Sequence, residues 1–144
     1  MSSFLLNIFF VYDIIFSDCM KNNESRENYL ETILILSNEK PVVRSVDIAE
    51  KLGFQKPSIC VAVKNLKEEN LITVSKEGYI SLTKSGKKIA ENIYDRHTTI
   101  TKMLVRLGVS EKAAEQDACR IEHVISEETF SAIKKHGIQK DTVL

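Results

Sequence analysis

The stretch Asp117-Ala118-Cys119-Arg120-Ile121-Glu122-His123 places a thiol, a carboxylate and an imidazole close together. If it is helical, residues three and four apart share a face, so Cys119, Glu122 and His123 point the same way, with Glu115 one turn earlier. Thiolate, carboxylate and neutral imidazole are the side chains that bind borderline divalent metals, and a helix presents them with no loop to order. The plainer reading is a buried Cys beside a solvated Glu/His pair. Only partners elsewhere in the chain decide between the two.

Those partners must come from the rest of 144 residues, enough for one compact domain or two small ones sharing a helix. Lys+Arg and Asp+Glu both number 20, so no global field marks a nucleic-acid binder. The distribution is uneven: Arg44 to Lys88 holds nine basic and five acidic residues, net +4, whereas Gly108 to Glu128 holds two and six, net −4. That suggests a phosphate-facing end and a cation-facing end. Three widely spaced cysteines, Cys19, Cys60 and Cys119, argue against a disulfide framework and for a reducing, cytoplasmic compartment.

Residues 1–22 read as an extension that is not part of the fold. The apolar run Phe4–Phe16 is too short to span a membrane and lacks the basic region of a secretory signal, and Met20 resembles an ordinary translation start. No membrane association is expected. From Ser25 the pattern is helical, with Tyr29, Leu30, Ile33, Leu34 and Leu36 on one stripe; Asn28 and Glu31 lie beside it, where they normally mean a solvated face. Pro41 ends that helix, and Val42–Arg44 reads as a short strand. Ser45 is expected to cap a helix Val46–Leu52, Gly53 to turn the chain, and Pro57 with Ser58 to open a third helix carrying Ile59, Ala62, Val63 and Leu66.

Leu71–Val74 and Tyr79–Leu82, separated by Ser75-Lys76-Glu77-Gly78, describe a β-hairpin. A helix-turn-helix followed by a hairpin is a winged helix. Its second helix enters the major groove and the wing lies near phosphates. On this reading Gln55, Lys56, Pro57 and Ser58 meet phosphate and base edges, Lys64 and Lys76 meet phosphates, and Cys60 and Val61 occupy the groove-facing helix. Val61 offers only apolar contact, such as to a thymine methyl, so hydrogen-bonded base readout is expected to be poor.

Thr83 caps a long helix with Ile89, Ile93, His97, Ile100, Leu104 and Leu107 on one stripe. His97, inside that stripe, reads first as a hydrogen-bonded core histidine. Gly108 closes the helix, Ser110 with Glu111 opens the next, and Ser126 opens a last one that Gly137 terminates. The fold class is therefore mainly α: a winged helix-turn-helix DNA-binding domain over residues 23–88, then a small helical domain over residues 89–144, whose role as a metal-binding and dimerisation domain is implied by a family resemblance.

Taken in order, Glu27-Asn28-Tyr29-Leu30-Glu31, Asp47-Ile48-Ala49-Glu50, Leu82-Thr83-Lys84-Ser85-Gly86, Arg96-His97 and Cys119-Arg120-Ile121-Glu122-His123-Val124-Ile125-Ser126 resemble the diphtheria toxin repressor and manganese transport regulator family. The resemblance implies a homodimeric, cytoplasmic repressor that binds Fe(II) or Mn(II) and then grips a palindromic operator in double-stranded DNA, with no small-molecule substrate. By position it implies His97, Cys119, Glu122 and His123 as metal ligands, with Glu31 reaching in from the first helix. Asn28 stands where the manganese branch has Asp and the iron branch Met; Glu115 and Thr101 stand where the iron branch has the His and Glu of an ancillary site. With the chain running to Leu144, no third, SH3-like domain is expected, an architecture that resembles the manganese branch.

Three function classes follow. A metal-gated repressor leads, with Fe(II) expected as corepressor because Cys119 is a soft ligand, and Mn(II) as the alternative. A metal-independent, thiol-based redox-sensing winged helix is the second, and the acidic neighbours of Cys119 argue against it because Glu does not lower a thiol pKa. A metallohydrolase is the third; it needs a general base and a substrate loop, and neither is visible, so the chain is read as not an enzyme.

Overall fold

A computed structural model of the chain describes residues 23–139, with side chains to residue 137; the expected extension over residues 1–22 lies outside the described residues. Helix α1 covers residues 23–39 and buries Tyr29, Leu30, Ile33 and Leu36, one face of a helical repeat. The strand expected at Val42–Arg44 does not form. Val43 is buried and its carbonyl accepts the Ile80 N–H at 2.8 Å, but one hydrogen bond does not make a ladder.

Helix α2 (Ser45–Leu52) is capped by Arg44 rather than Ser45. The Asp47 carboxylate accepts the Arg44 backbone N–H at 2.8 Å and a Lys40 hydrogen bond at 2.8 Å. The Lys40 bond, then the Arg44 bond, hold the Asp47 carboxyl below its ordinary range. Gly53 closes α2 at φ 68°, a left-handed turn that a side chain would strain. Helix α3 (Lys56–Glu68) follows, with Pro57 in its first turn and Ile59 and Leu66 buried.

Strands β1 (Ile72–Val74) and β2 (Ile80–Leu82) pair antiparallel, Ile72 opposite Leu82 and Val74 opposite Ile80. One core joins these elements: Leu30, Ile33, Ile48, Ile59, Leu66, Ile72, Ile80 and Ala90 all belong to it. This is the winged arrangement read from the sequence.

Helix α4 (Lys84–Arg106) starts under the wing, where the Thr83 hydroxyl accepts the Gly86 N–H at 3.1 Å and donates to the Asn70 carbonyl at 2.7 Å. Its first half closes the winged core through Ala90; further along, Ile93 and Ile100 are buried where α4 packs against α5 (Glu111–Ile121) and α6 (Glu127–Gln139). Ala114, Ala118 and Phe130 supply the buried side of the latter two.

Two expectations fail here. Leu107 is not on the buried stripe but 70 % exposed, because α4 ends at Arg106. Gly137 does not terminate α6, which runs on to Gln139, while the Gly137 carbonyl accepts an Arg106 guanidinium hydrogen bond at 2.9 Å. A glycine inside a helix costs only about 1 kcal/mol relative to alanine, so its presence alone does not stop one. No helix among the described residues is long and apolar enough to cross a membrane.

Candidate metal centre

The α5 helix ends at Ile121, earlier than the helical reading of the heptapeptide assumes. Glu122 keeps helical backbone angles as the cap, its N–H bonded to the Ala118 carbonyl, and His123 follows in a turn. The Glu122 and His123 side chains are 0 % and 1 % exposed, whereas Cys119 stays exposed.

Arg96 on α4 holds the turn in place. Its guanidinium donates to the carbonyls of Glu122 at 3.2 Å and Ile125 at 2.9 Å and to the Glu127 carboxylate at 2.6 Å, lying over the Phe130 ring. Two side chains from different elements then meet Glu122. His97 Nδ1 lies 2.8 Å from one carboxylate oxygen, and Glu31 on α1 is close enough that ligand atoms of Glu31, His97 and Glu122 all fall within 4.8 Å of one another. Glu31 lies on the buried side of α1 and His97 is half-buried, so the solvated and core readings of these residues both give way to a shared cluster.

His123 completes the group. Its Nε2 lies 3.0 Å from Asn28 Oδ1 and 3.2 Å from Glu122 Oε1, and its Nδ1 lies 2.7 Å from the Glu27 carboxylate. The Glu122 oxygen facing His123 is buried without a hydrogen bond despite that short distance. Charge proximity is satisfied there and N–H direction is not.

The electrostatics follow from crowding. Burial, then the Glu122 charge, pushes the Glu31 carboxyl up to about 7. Burial opposes ionisation of Glu122, but the close His123 and His97 imidazoles outweigh it and hold its pKa below the ordinary value. Burial likewise opposes charging of His123, but the adjacent Glu122 and Glu27 carboxylates outweigh it and raise its pKa to about 9. The Glu122 hydrogen bond raises His97 in the same direction, with a smaller charge contribution from Glu115. Two buried acids and two imidazoles therefore share protons around one unsatisfied oxygen.

That donor set fits a divalent cation. Carboxylate oxygens of Glu31 and Glu122 and a nitrogen of His97 converge from three elements, and a buried Glu122 oxygen, 3.2 Å from His123 Nε2, lacks a partner that a cation would provide. Cys119 and Glu115 stand outside the tight triad, both exposed. Desolvation of the Cys119 sulfur, then the charges of Glu122, Glu31 and Glu24, raises its thiol pKa. A reactive redox thiol needs the opposite shift, which weighs against the thiol-switch reading.

On the other module, Gln55, Lys56, Pro57, Ser58, Cys60 and Lys64 are all exposed on or beside α3, and Lys76 is exposed in the wing turn. Lys64 and Glu68 approach within 4.0 Å as an exposed pair, too weak to withhold Lys64 from an anion. Two contributors to the metal centre, Glu27 and Arg96, are absent from the ligands expected by sequence. Their motifs are visible in sequence, but not the long-range contacts that give them their roles.

Residues 22–80 match the family model described as iron dependent repressor, N-terminal DNA binding domain, and residues 83–137 match iron dependent repressor, metal binding and dimerisation domain. The chain belongs to the iron-dependent repressor family, the diphtheria toxin repressor and manganese transport regulators. Among its relatives, the transcriptional regulator MntR of Escherichia coli O157:H7 is 36% identical over 115 residues, covering 77% of this chain and 74% of that protein. The HTH-type transcriptional regulator MntR of Geobacillus kaustophilus is 35% identical over 113 residues, covering 78% of each. Among solved structures, T. acidophilum IdeR superposes with a TM-score of 0.69 at 25% identity, and the manganese regulator SloR with 0.70 at 28%. The match covers 76% and 77% of this chain but 52% of each of those two, so it spans about half their length. Members of this family of transcriptional regulators are not enzymes.

Proposed function

We propose that this chain is a metal-gated transcriptional repressor that binds as a homodimer to palindromic DNA, with Glu31, His97, Glu122 and His123 as its principal metal ligands. The carrying observation is the convergence of Glu31 from α1 with His97 and Glu122 from α4 and the α5 turn, because α1 also packs in the winged core that presents α3. A divalent cation bound there supplies positive charge in place of the protons held by the two histidines and Glu31. Glu31 and Asn28 fix the position of α1 against the turn; Arg96 holds the turn against α4. A linkage that favours one arrangement of the two modules couples the sites by about 1–3 kcal/mol, or roughly 5 to 150-fold in DNA affinity. The test is duplex binding from a random-sequence pool, followed by fluorescence anisotropy, in Mn(II), in Fe(II) without oxygen, and in chelator. Metal-dependent retention supports the reading, and equal binding in chelator contradicts it.

The triad of nitrogen and oxygen donors accepts Mn(II) and Fe(II) alike, and one similar solved structure is that of the manganese regulator SloR. Cys119 is a soft donor on which the Glu122 and Glu31 charges act, and its engagement tilts the response toward Fe(II), since Mn(II) gains least from sulfur. Cys119→Glu should therefore raise the Mn(II) response relative to Fe(II) in an anaerobic DNA-binding titration. Unchanged half-saturation by Mn(II) would show that Cys119 does not select the metal.

Glu27 orients His123 by accepting from Nδ1, which turns Nε2 toward the cluster. Removing an outer carboxylate of this kind costs about 10–100-fold in metal affinity, the effect expected of Glu27→Gln in a competitive metal titration. A loss under twofold would place Glu27 outside the centre. Because ligation displaces protons from groups titrating near 7 for Glu31 and 9 for His123, metal affinity should rise with pH across this range. Calorimetry in buffers of different ionisation enthalpy should detect proton release at pH 7, and none would contradict these protonation states.

A further inference from the structure

Helix α3 keeps Ile59 and Leu66 buried, yet Val61, two residues from Ile59 and across the helix from it, is 60 % exposed. Pro57, one turn before Val61, and Lys64, one turn after, continue that outer face, and Cys60 beside it is exposed as well. Pro57, Cys60 and Val61 carry none of the paired donors and acceptors that read guanine or adenine edges. The first turn of the helix has no acid, and of its lysines Lys64 shares this outer face, where it approaches Glu68 within 4.0 Å. An exposed branched apolar side chain beside a lysine on this face suits a groove that is anionic at its walls and displays one apolar group on its floor. In the major groove that group is the thymine 5-methyl.

From this geometry, and resting on the DNA-binding reading above, we infer that Val61 is a specificity-determining residue that selects thymine in each operator half-site by packing against its 5-methyl. The metal-loaded full chain is used to select duplexes from a random pool, and each thymine of the recovered sequence is then replaced by uracil, which removes only the methyl. One position per half-site should lose affinity about fourfold, the value of burying one methyl-sized group. Val61→Ala should bind the thymine duplex about fourfold more weakly per half-site, become indifferent to uracil at that position, and keep the salt dependence of the parent, since no phosphate contact changes. Wild-type protein indifferent to every uracil replacement would overturn the inference, as would a Val61→Ala protein as sensitive as the parent. If the parent retains no duplex in the presence of metal, the repressor reading itself falls and this inference with it, an outcome recognisable because no sequence is recovered.

Discussion

Glu122→Gln is expected to abolish metal-dependent DNA binding while leaving a folded protein. The side chain is the hub of the centre: completely buried, 2.8 Å from His97 and 3.2 Å from His123, and part of the triad with Glu31. An amide of the same shape keeps the packing but replaces a charged ligand by a weak one. The loss of metal affinity should exceed the roughly 100-fold upper range seen for outer-sphere partners. In chelator the variant should also lose about 1–3 kcal/mol of stability, because His97 loses a charge-assisted acceptor and His123 a close anion. The two effects are separable: urea melts in chelator report the histidine contacts, and metal titration of the native protein reports ligation. A variant with the parent's metal response would remove Glu122 from the centre.

Gly86→Ala should be the most damaging conservative change in the described chain. A Cβ at Gly86 would stand 1.9 Å from the Leu71 carbonyl oxygen and 2.9 Å from its carbon, both backbone atoms that no rotamer change can move aside. That carbonyl also accepts the Thr83 N–H at 3.0 Å, so the clash falls on the joint between the base of the wing and the start of α4. Separating them costs about 3 kcal/mol or more. The expected fall in melting temperature is roughly 10 °C or greater, with weakened metal gating because α4 carries His97. A melting temperature within about 2 °C of the parent would show that the joint yields cheaply.

The contrast between Gly86 and Glu122 illustrates what the sequence discloses. Local patterns carried the winged module: Ile59 and Leu66 fall at buried helical positions, Thr83 caps α4, and the Ile72–Val74 and Ile80–Leu82 strands pair as their alternation suggests. The chemistry of the site was visible as residue types at helical spacing. What spacing could not convey was that α5 ends at Ile121, with the Glu122 and His123 side chains buried and Cys119 exposed. Glu27 meets His123 across 96 residues of sequence and Arg96 meets the Ile125 carbonyl across 29, contacts that no local periodicity encodes. Val42–Arg44 erred the other way: β-branched residues suggested a strand, but among the described residues its backbone bond to the hairpin is that of Val43 alone, and propensity without a ladder makes none.

If metal and DNA bind to one coupled structure, each must strengthen the other equally. Metal affinity is measured by titration of the full chain free and saturated with its selected duplex. The duplex should tighten metal binding by the same factor, roughly 5 to 150, by which metal tightens duplex binding. Metal binding of equal strength with and without DNA would contradict it.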